Sequence, residues 1–202
     1  MFVKTPKILS KLFPSLIWKI QTKKKEVWLT FDDGPDEKTT PLILSILEKL
    51  NIKATFFLIG REIEKHPSLT KSIIEKGHII GNHSFSHLDG YMTRNKIYYN
   101  DIFKNEIKIN NLNLYRPPFG RMSLPQIWFL RKKFKIIMWD IFSWDFIKNN
   151  SLNMKNNVIN NIEKGSIIVF HNNAKSFSNL SKKLEEILIE IQNKGYNFST
   201  TW

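Results

Sequence analysis

From Glu26 to the C-terminus the apolar positions alternate between two spacings. Short runs rich in β-branched and aromatic residues, at 26–31, 53–60, 78–80, 112–115, 135–139, 166–170 and 196–200, predict seven strands. Between them apolar residues recur every three or four positions. Thr40–Leu50 carries Leu42, Ile43, Ile46, Leu47 and Leu50 on one helical face. Glu62–Gly77 reads as helix with a break near Pro67 and a stop at Gly77, and residues 93–110 as a polar helix. Leu124–Phe134, with Pro125 in its first turn, and the stretches 152–165 and 180–195 complete the helices. Strand and helix in regular succession predict a parallel sheet with helices outside it. No linker or repeat interrupts residues 26–202, which are expected to form one domain.

Residues 1–25 differ. Ile8, Leu9, Leu12, Phe13, Leu16, Ile17 and Ile20 follow helical spacing, with Lys4, Lys7, Lys11 and Lys19 between them. This basic amphipathic segment is expected to pack on the domain as a helix bent near Pro14. Peripheral contact with a membrane through residues 1–20 is the alternative. Lys11 and Pro14 break the apolar stretch and no small-residue cleavage site follows, so the segment does not read as a signal peptide. No run reaches the roughly 18 apolar residues of a spanning helix. A cytoplasmic location, or the inner membrane surface, is therefore expected.

The polar residues that break the pattern follow strands. Asp32 and Asp33 end the first run, in the stretch TFDDGP. Asn82, His83 and His87 follow the third, Arg116 the fourth, Asp140 and Asp145 the fifth, and His171 the sixth. In a parallel β/α barrel the C-terminal strand ends share one face, and that face carries the chemistry. His83 and His87 are four apart, which on a helical turn puts both imidazoles on one side. Two imidazoles and a carboxylate make a three-ligand site for a catalytic divalent metal. One of the two aspartates could be that ligand, and the other a base toward an attacking water. His171 could then give a proton to a leaving group.

Composition narrows the field. The chain has 202 residues, 42% apolar and 24% charged, which suits a folded domain with a real core. Cysteine is absent, so disulfides, thiolate nucleophiles and cysteine-held metals are excluded. The net charge of +13 favours anionic surroundings, but apart from Lys23–Lys25 it is spread through Lys/Asn/Ile-rich sequence, as a compositional bias would spread it. No nucleic-acid motif accompanies it.

The stretches TFDDGP, HSFSH, RPPFG, WDIFSWDF and IIVFH, in this order, resemble the five motifs of the polysaccharide deacetylases, carbohydrate esterase family 4. The resemblance runs from Glu26 to the C-terminus. It implies an α/β fold, a distorted seven- or eight-stranded β/α barrel with parallel strands. It also implies metal-dependent removal of N-acetyl, or O-acetyl, groups from a carbohydrate such as an N-acetylglucosamine-containing glycan. A monomer is expected. By the resemblance Asp33, His83 and His87 bind one divalent metal, zinc foremost, with cobalt or nickel as alternatives. Asp32 is the general base, and Arg116 holds it by a charge-assisted hydrogen bond. The Phe119 N–H faces the oxyanion. His171 is the general acid, and Asp145 orients it. Pro118 and Trp139 are expected to contact substrate beside Phe119.

The chain departs from the commonest pattern at four positions. Phe119 stands where tyrosine is frequent, Phe142 where aspartate is common, Phe146 where tryptophan follows the aspartate, and Asn172 where aspartate follows the histidine. None removes a ligand or the base, so an active enzyme is expected. His66 is expected near a helix end and His78 in packing; Trp18, Trp28, Trp128 and Trp202 are expected in the core or an interface. Two other readings stand beside the deacetylase: a two-histidine, one-carboxylate iron enzyme, which has no use for Asp32, Arg116 and His171 as a set, and an inactive glycan-binding barrel.

Overall fold

The computed structural model describes residues 2–105 and 113–202. Its strands are β1 (Glu26–Asp33), β2 (Thr55–Leu58), β3 (Ile79–Asn82), β4 (Leu114–Tyr115), β5 (Lys135–Ile136), β6 (Ile141–Phe142), β7 (Ile167–His171) and β8 (Asn197–Phe198). They form one sheet in the order β5-β4-β3-β2-β1-β7-β6, every pairing parallel, with β8 added beside the start of β1. The helices are α1 (Lys7–Leu12), α2 (Thr39–Lys49), α3 (Gly60–Lys65), α4 (Pro67–Glu75), α5 (Asn95–Lys104), α6 (Leu124–Leu130), α7 (Ser151–Ile159) and α8 (Phe177–Asn193). This is the expected parallel β/α barrel, left open between β5 and β6. The expected helix over 62–77 is two helices meeting at His66–Pro67, because proline cannot continue the α3 hydrogen-bond ladder. The expected helix 93–110 and strand 112–115 run partly outside the described residues.

Strand β1 shows how the sheet aims the site. Val27, Leu29 and Phe31 enter the core that lies between the sheet and helices α2, α7 and α8. Trp28 enters the second core, and Thr30 and Asp32 alternate with the outer residues. In β7, Ile168 and Phe170 lie in the first core, and Ile167 and Val169 in the second. Both strands therefore end with a polar residue on the inner face, Asp32 and His171, which are paired in register.

Residues 3–20 occupy the open side. Only Lys7–Leu12 is helical; the longer helix expected there does not form, because the chain instead bonds to both sheet edges. The Ile17 N–H donates to Ile136 O and the Met138 N–H to Ile17 O, while the Phe142 N–H donates to Val3 O. Leu16 is buried, and Phe13, Ile17, Trp18 and Ile20 pack on the inner core. Asp140, counted at sequence level among the strand-end groups, belongs to this closure: it pairs with Lys4 at 2.8 Å and accepts from Ser166. Strand β6 was not expected, since it follows β5 after only four residues with no helix between them. Among the described residues no helix is long and apolar enough to cross a membrane.

Candidate active site

The TFDDGP bend opens the site. Successive residues of a strand face opposite ways, so a regular β1 would send Asp33 outward beside Phe31. Asp33 instead has φ +80°, a conformation that costs a non-glycine residue of order 1 kcal/mol or more. The turn is pinned where the Ile59 N–H donates to Asp33 O at 3.0 Å. Both carboxylates thereby line one cavity of about 340 Å3. The next residue must be glycine: a Cβ on Gly34 would lie 2.0 Å from Asn172 Nδ2.

His83 and His87 reach Asp33 from a loop, not from the helical turn that their spacing suggested. Ser84 and His87 have φ of +62° and +59°. Buried acceptors hold these turns. Asn82 Oδ1 accepts the Ser84 N–H at 2.7 Å, and Ser84 Oγ accepts the His87 N–H at 2.9 Å. Asp101 Oδ2 accepts the N–H groups of Phe85 and Ser86 at 3.1 and 3.0 Å. Asn105 Nδ2 donates to Ser84 O at 2.7 Å. The imidazole centroids end 5.1 Å apart.

One oxygen of Asp33 and one nitrogen from each histidine lie within 4.8 Å of one another. Asp33 Oδ1 is 3.6 Å from His83 Nε2 and 3.3 Å from His87 Nε2. His83 Nδ1 donates to Arg116 O at 2.8 Å, which leaves Nε2 free to ligate an ion. Burial holds the His83 pKa down at about 4, so the ring is neutral near pH 7, as a ligand must be. Burial works to raise the Asp33 pKa, but the His87 hydrogen bond and the positive charge of His171 hold it well below the usual carboxylate range. Asn173 Nδ2 fixes its other oxygen at 2.6 Å. Two imidazole nitrogens and a carboxylate oxygen fit a zinc-type ion, and cobalt or nickel as well.

Asp32 is held apart from this group. Arg116, wholly buried, donates through Nη1 to Asp32 Oδ1 at 2.6 Å and to Thr30 Oγ1 at 2.7 Å. Its Nη2 and Nε bond Met138 O and Ile137 O, and the guanidinium lies 4.2 Å from the centre of the Phe57 ring. Among the described residues no side chain donates to Asp32 Oδ2.

The His171 side is as tightly built. Its Nδ1 donates to Asp145 Oδ1 at 2.7 Å, and its backbone N–H to Oδ2 at 2.6 Å. Ser143 Oγ donates to the same carboxylate, and Asn179 Nδ2 holds the Asp145 carbonyl. Phe142 and Phe146, both departures from the commonest motif, set their rings edge-on to His171 at 5.4 and 5.2 Å. Burial alone would lower the His171 pKa; the Asp145 charge and hydrogen bond, helped by Asp33 and Asp32, raise it to about 9.

The cavity gathers Asp32, Asp33, His83, His87, His171, Phe119 and Trp139. Phe119, at φ +58°, is half exposed and meets His87 edge-on at 4.6 Å. Pro118, expected against substrate, opens a short 3-10 turn and is buried; Pro117 lines the cavity in its place. Arg116 and Asp145 act from behind the wall through Asp32 and His171. Asn173, Asp101, Asn105, Ser143 and Asn179 were not found from sequence, because their roles rest on contacts with distant residues. His78 is buried against Phe56, as its position suggested.

The fold and the mouth define a β/α-barrel hydrolase that carries a carboxylate and an imidazole on the walls of one cavity. The polysaccharide deacetylase family model matches residues 19–133, and the chain belongs to that family. A peptidoglycan-N-acetylglucosamine deacetylase of Bacillus cereus is 38% identical over 184 residues, covering 88% of this chain and 67% of its own. The peptidoglycan-N-acetylglucosamine deacetylase PgdA of Listeria monocytogenes is 30% identical over 189 residues, and the match spans 38% of that protein. The crystal structure of the Bc1960 peptidoglycan N-acetylglucosamine deacetylase with 4-naphthalen-1-yl-N-oxidanyl-benzamide superposes with a TM-score of 0.88 at 33% identity, covering 96% of this chain and 94% of that one.

Proposed function

We propose that this chain hydrolyses the acetamide of an N-acetylated sugar, with N-acetylglucosamine of a peptidoglycan-type glycan as the substrate class, and releases acetate and the free amine. The observation that carries the reading is the convergence of the Asp33–His83–His87 group, the Arg116-held Asp32 and the Asp145-held His171 on one cavity. The relatives named above act on peptidoglycan N-acetylglucosamine by their names, which supports the substrate class.

A divalent ion held by Asp33, His83 and His87 would polarise the acetyl carbonyl and make the attacking water more acidic. The protein's own groups supply the proton traffic. Asp32 takes a proton from water through Oδ2, while Arg116 keeps Oδ1 and its charge in place. The Phe119 N–H is assigned to the developing oxyanion. His171, protonated at neutral pH with a pKa of about 9, gives its proton to the leaving nitrogen as the carbon–nitrogen bond breaks. Asp145 stabilises the imidazolium until then. Trp139 and Phe142 provide the apolar walls on which a sugar ring can rest.

The test is acetate release from soluble N-acetylglucosamine oligomers and peptidoglycan fragments, measured for the wild type and Asp32→Asn, with and without a chelator. Turnover that falls on chelation and in the variant supports the reading. Equal, absent turnover in both proteins with glycan binding intact would establish the inactive glycan-binding barrel instead. Turnover that requires iron and oxygen would establish the iron enzyme.

A further inference from the structure

The surface beside the mouth carries apolar side chains that the chemistry does not use. On α6, Leu124 and Trp128 lie one turn apart, 68% and 57% exposed. In the loop before α5, Tyr91 and Met92 are 66% and 85% exposed, and Ile97 in α5 is 53% exposed. Buried Gln126 ties these elements into one surface: its Nε2 donates to Gly90 O at 2.9 Å and to Asn95 Oδ1 at 3.0 Å. The surface adjoins the mouth, because Arg121, which lines the cavity, pairs with Asp89 of the same loop at 2.8 Å.

Its charge is mostly positive. Residues 90–100 and 121–135 together hold seven lysines and arginines and no aspartate or glutamate; the flanking acids are Asp89, which pairs with Arg121, and Asp101, which is buried. A glycan platform would offer several open aromatic faces, but Lys132 Nζ sits 3.7 Å from the centre of the Trp128 ring, which leaves Tyr91 among leucine, methionine and isoleucine that make no stacking surface. Exposed aliphatic and indole groups among cations match the headgroup boundary of an anionic bilayer, where apolar side chains insert and Lys/Arg meet lipid phosphates. We propose that this face docks on an anionic lipid surface and sets the mouth of the cavity against the membrane. The contact is separate from residues 1–20, whose inner-facing side chains are already used to close the barrel.

The test is co-sedimentation of the full chain with vesicles of phosphatidylcholine alone or mixed with phosphatidylglycerol. Binding is expected only to the anionic vesicles, falling about tenfold or more in about 0.5 M salt. The triple variant Met92→Ser, Leu124→Ser, Trp128→Ser is expected to lose about tenfold or more in vesicle affinity while keeping its circular dichroism and its acetate release from soluble oligomers. Ile8→Ser with Leu12→Ser is expected to leave binding unchanged. The proposal is overturned if the wild type ignores anionic vesicles, if the triple variant binds as the wild type does, if binding is lost only with Ile8 and Leu12, or if the triple variant loses glycan retention rather than vesicle binding.

Discussion

Replacing Asp145 by asparagine removes the charge behind His171. Asparagine keeps the shape and an oxygen to accept from Nδ1 at 2.7 Å, but its amide group then meets the backbone N–H that Oδ2 accepts at 2.6 Å, so one hydrogen bond goes with the negative charge. Burial pushes the imidazolium pKa down, and Asp145 is the foremost group that raises it to about 9, above the ordinary imidazole value of 6.5. That rise of about 2.5 units is worth about 3 kcal/mol, an upper figure for the pair in a side chain only 14% exposed. Without the charge the pKa should fall below about 7. The protonated fraction at pH 7 then drops from nearly all to about half or less. The basic limb of kcat/KM should move down by about two units, and turnover at pH 8 should fall at least about tenfold beyond any pH-independent loss. Because the folded-state pKa is raised, the stabilisation from this pair is complete below about 6.5 and is lost as pH rises through about 9. The gap in urea stability between wild type and variant should therefore close over that window. An NMR titration of the imidazole in metal-free protein reads the pKa directly. An unchanged basic limb together with an unchanged imidazole pKa would refute the assignment of His171 as the acid and of Asp145 as its electrostatic support.

Asp33→Asn should weaken zinc binding by about 10- to 100-fold in calorimetry, whereas Asp32→Asn should bind zinc normally and lose about 10²–10⁴-fold in kcat; the opposite pattern would exchange the two roles. Asp101→Ala removes the acceptor of two loop N–H groups, and zinc affinity should fall about 10-fold or more although Asp101 is not a member of the ligand group. Gly34→Ala should cost about 1–3 kcal/mol in urea denaturation, since the new methyl meets Asn172 Nδ2, and Asn172→Ala in the same chain should recover part of that loss; additive losses would exclude the contact as the cause.

The sheet was legible because β1, β2 and β7 bury both faces and therefore appear as short continuous apolar runs, and because β1 and β7 each end in polar residues at the mouth. Strand β6 was not, because two residues that follow β5 without a helix carry no period of their own, and the partners that define the open edge come from Val3 to Ile17. The amphipathic stripe over 8–20 marked burial correctly at Leu16 and a helix over its first turns, Lys7–Leu12, but not the extended chain beyond, where hydrogen bonds to two strand edges outweigh a helix in which Pro14 already breaks the ladder. Two histidines and a strand-end carboxylate could be read from sequence as a candidate ligand group, with Asp33 chosen over Asp32 only through the family resemblance. What holds it could not: Asn173 meets Asp33 across 140 residues, and Asp101 shapes a loop 15 residues away.

The places where local rules fail point the same way. Among the described residues seven other than glycine have positive φ, and Asp33, His87 and Phe119, three of them, line the cavity. Each conformation costs of order 1 kcal/mol or more and persists because neighbours over-determine it. At Asp33 the gain is visible in the geometry. An unstrained β1 would put Asp32 and Asp33 on opposite faces, and only one could reach the mouth. The turned residue lets adjacent carboxylates share a cavity while staying in different company, Asp32 with Arg116 and Asp33 with two imidazoles. The repulsion of the neighbouring pair is thus divided between two sets of positive or metal-binding partners. Strain at the strand end is what lets adjacent carboxylates take the two roles proposed for them, one toward protons and the other toward a metal.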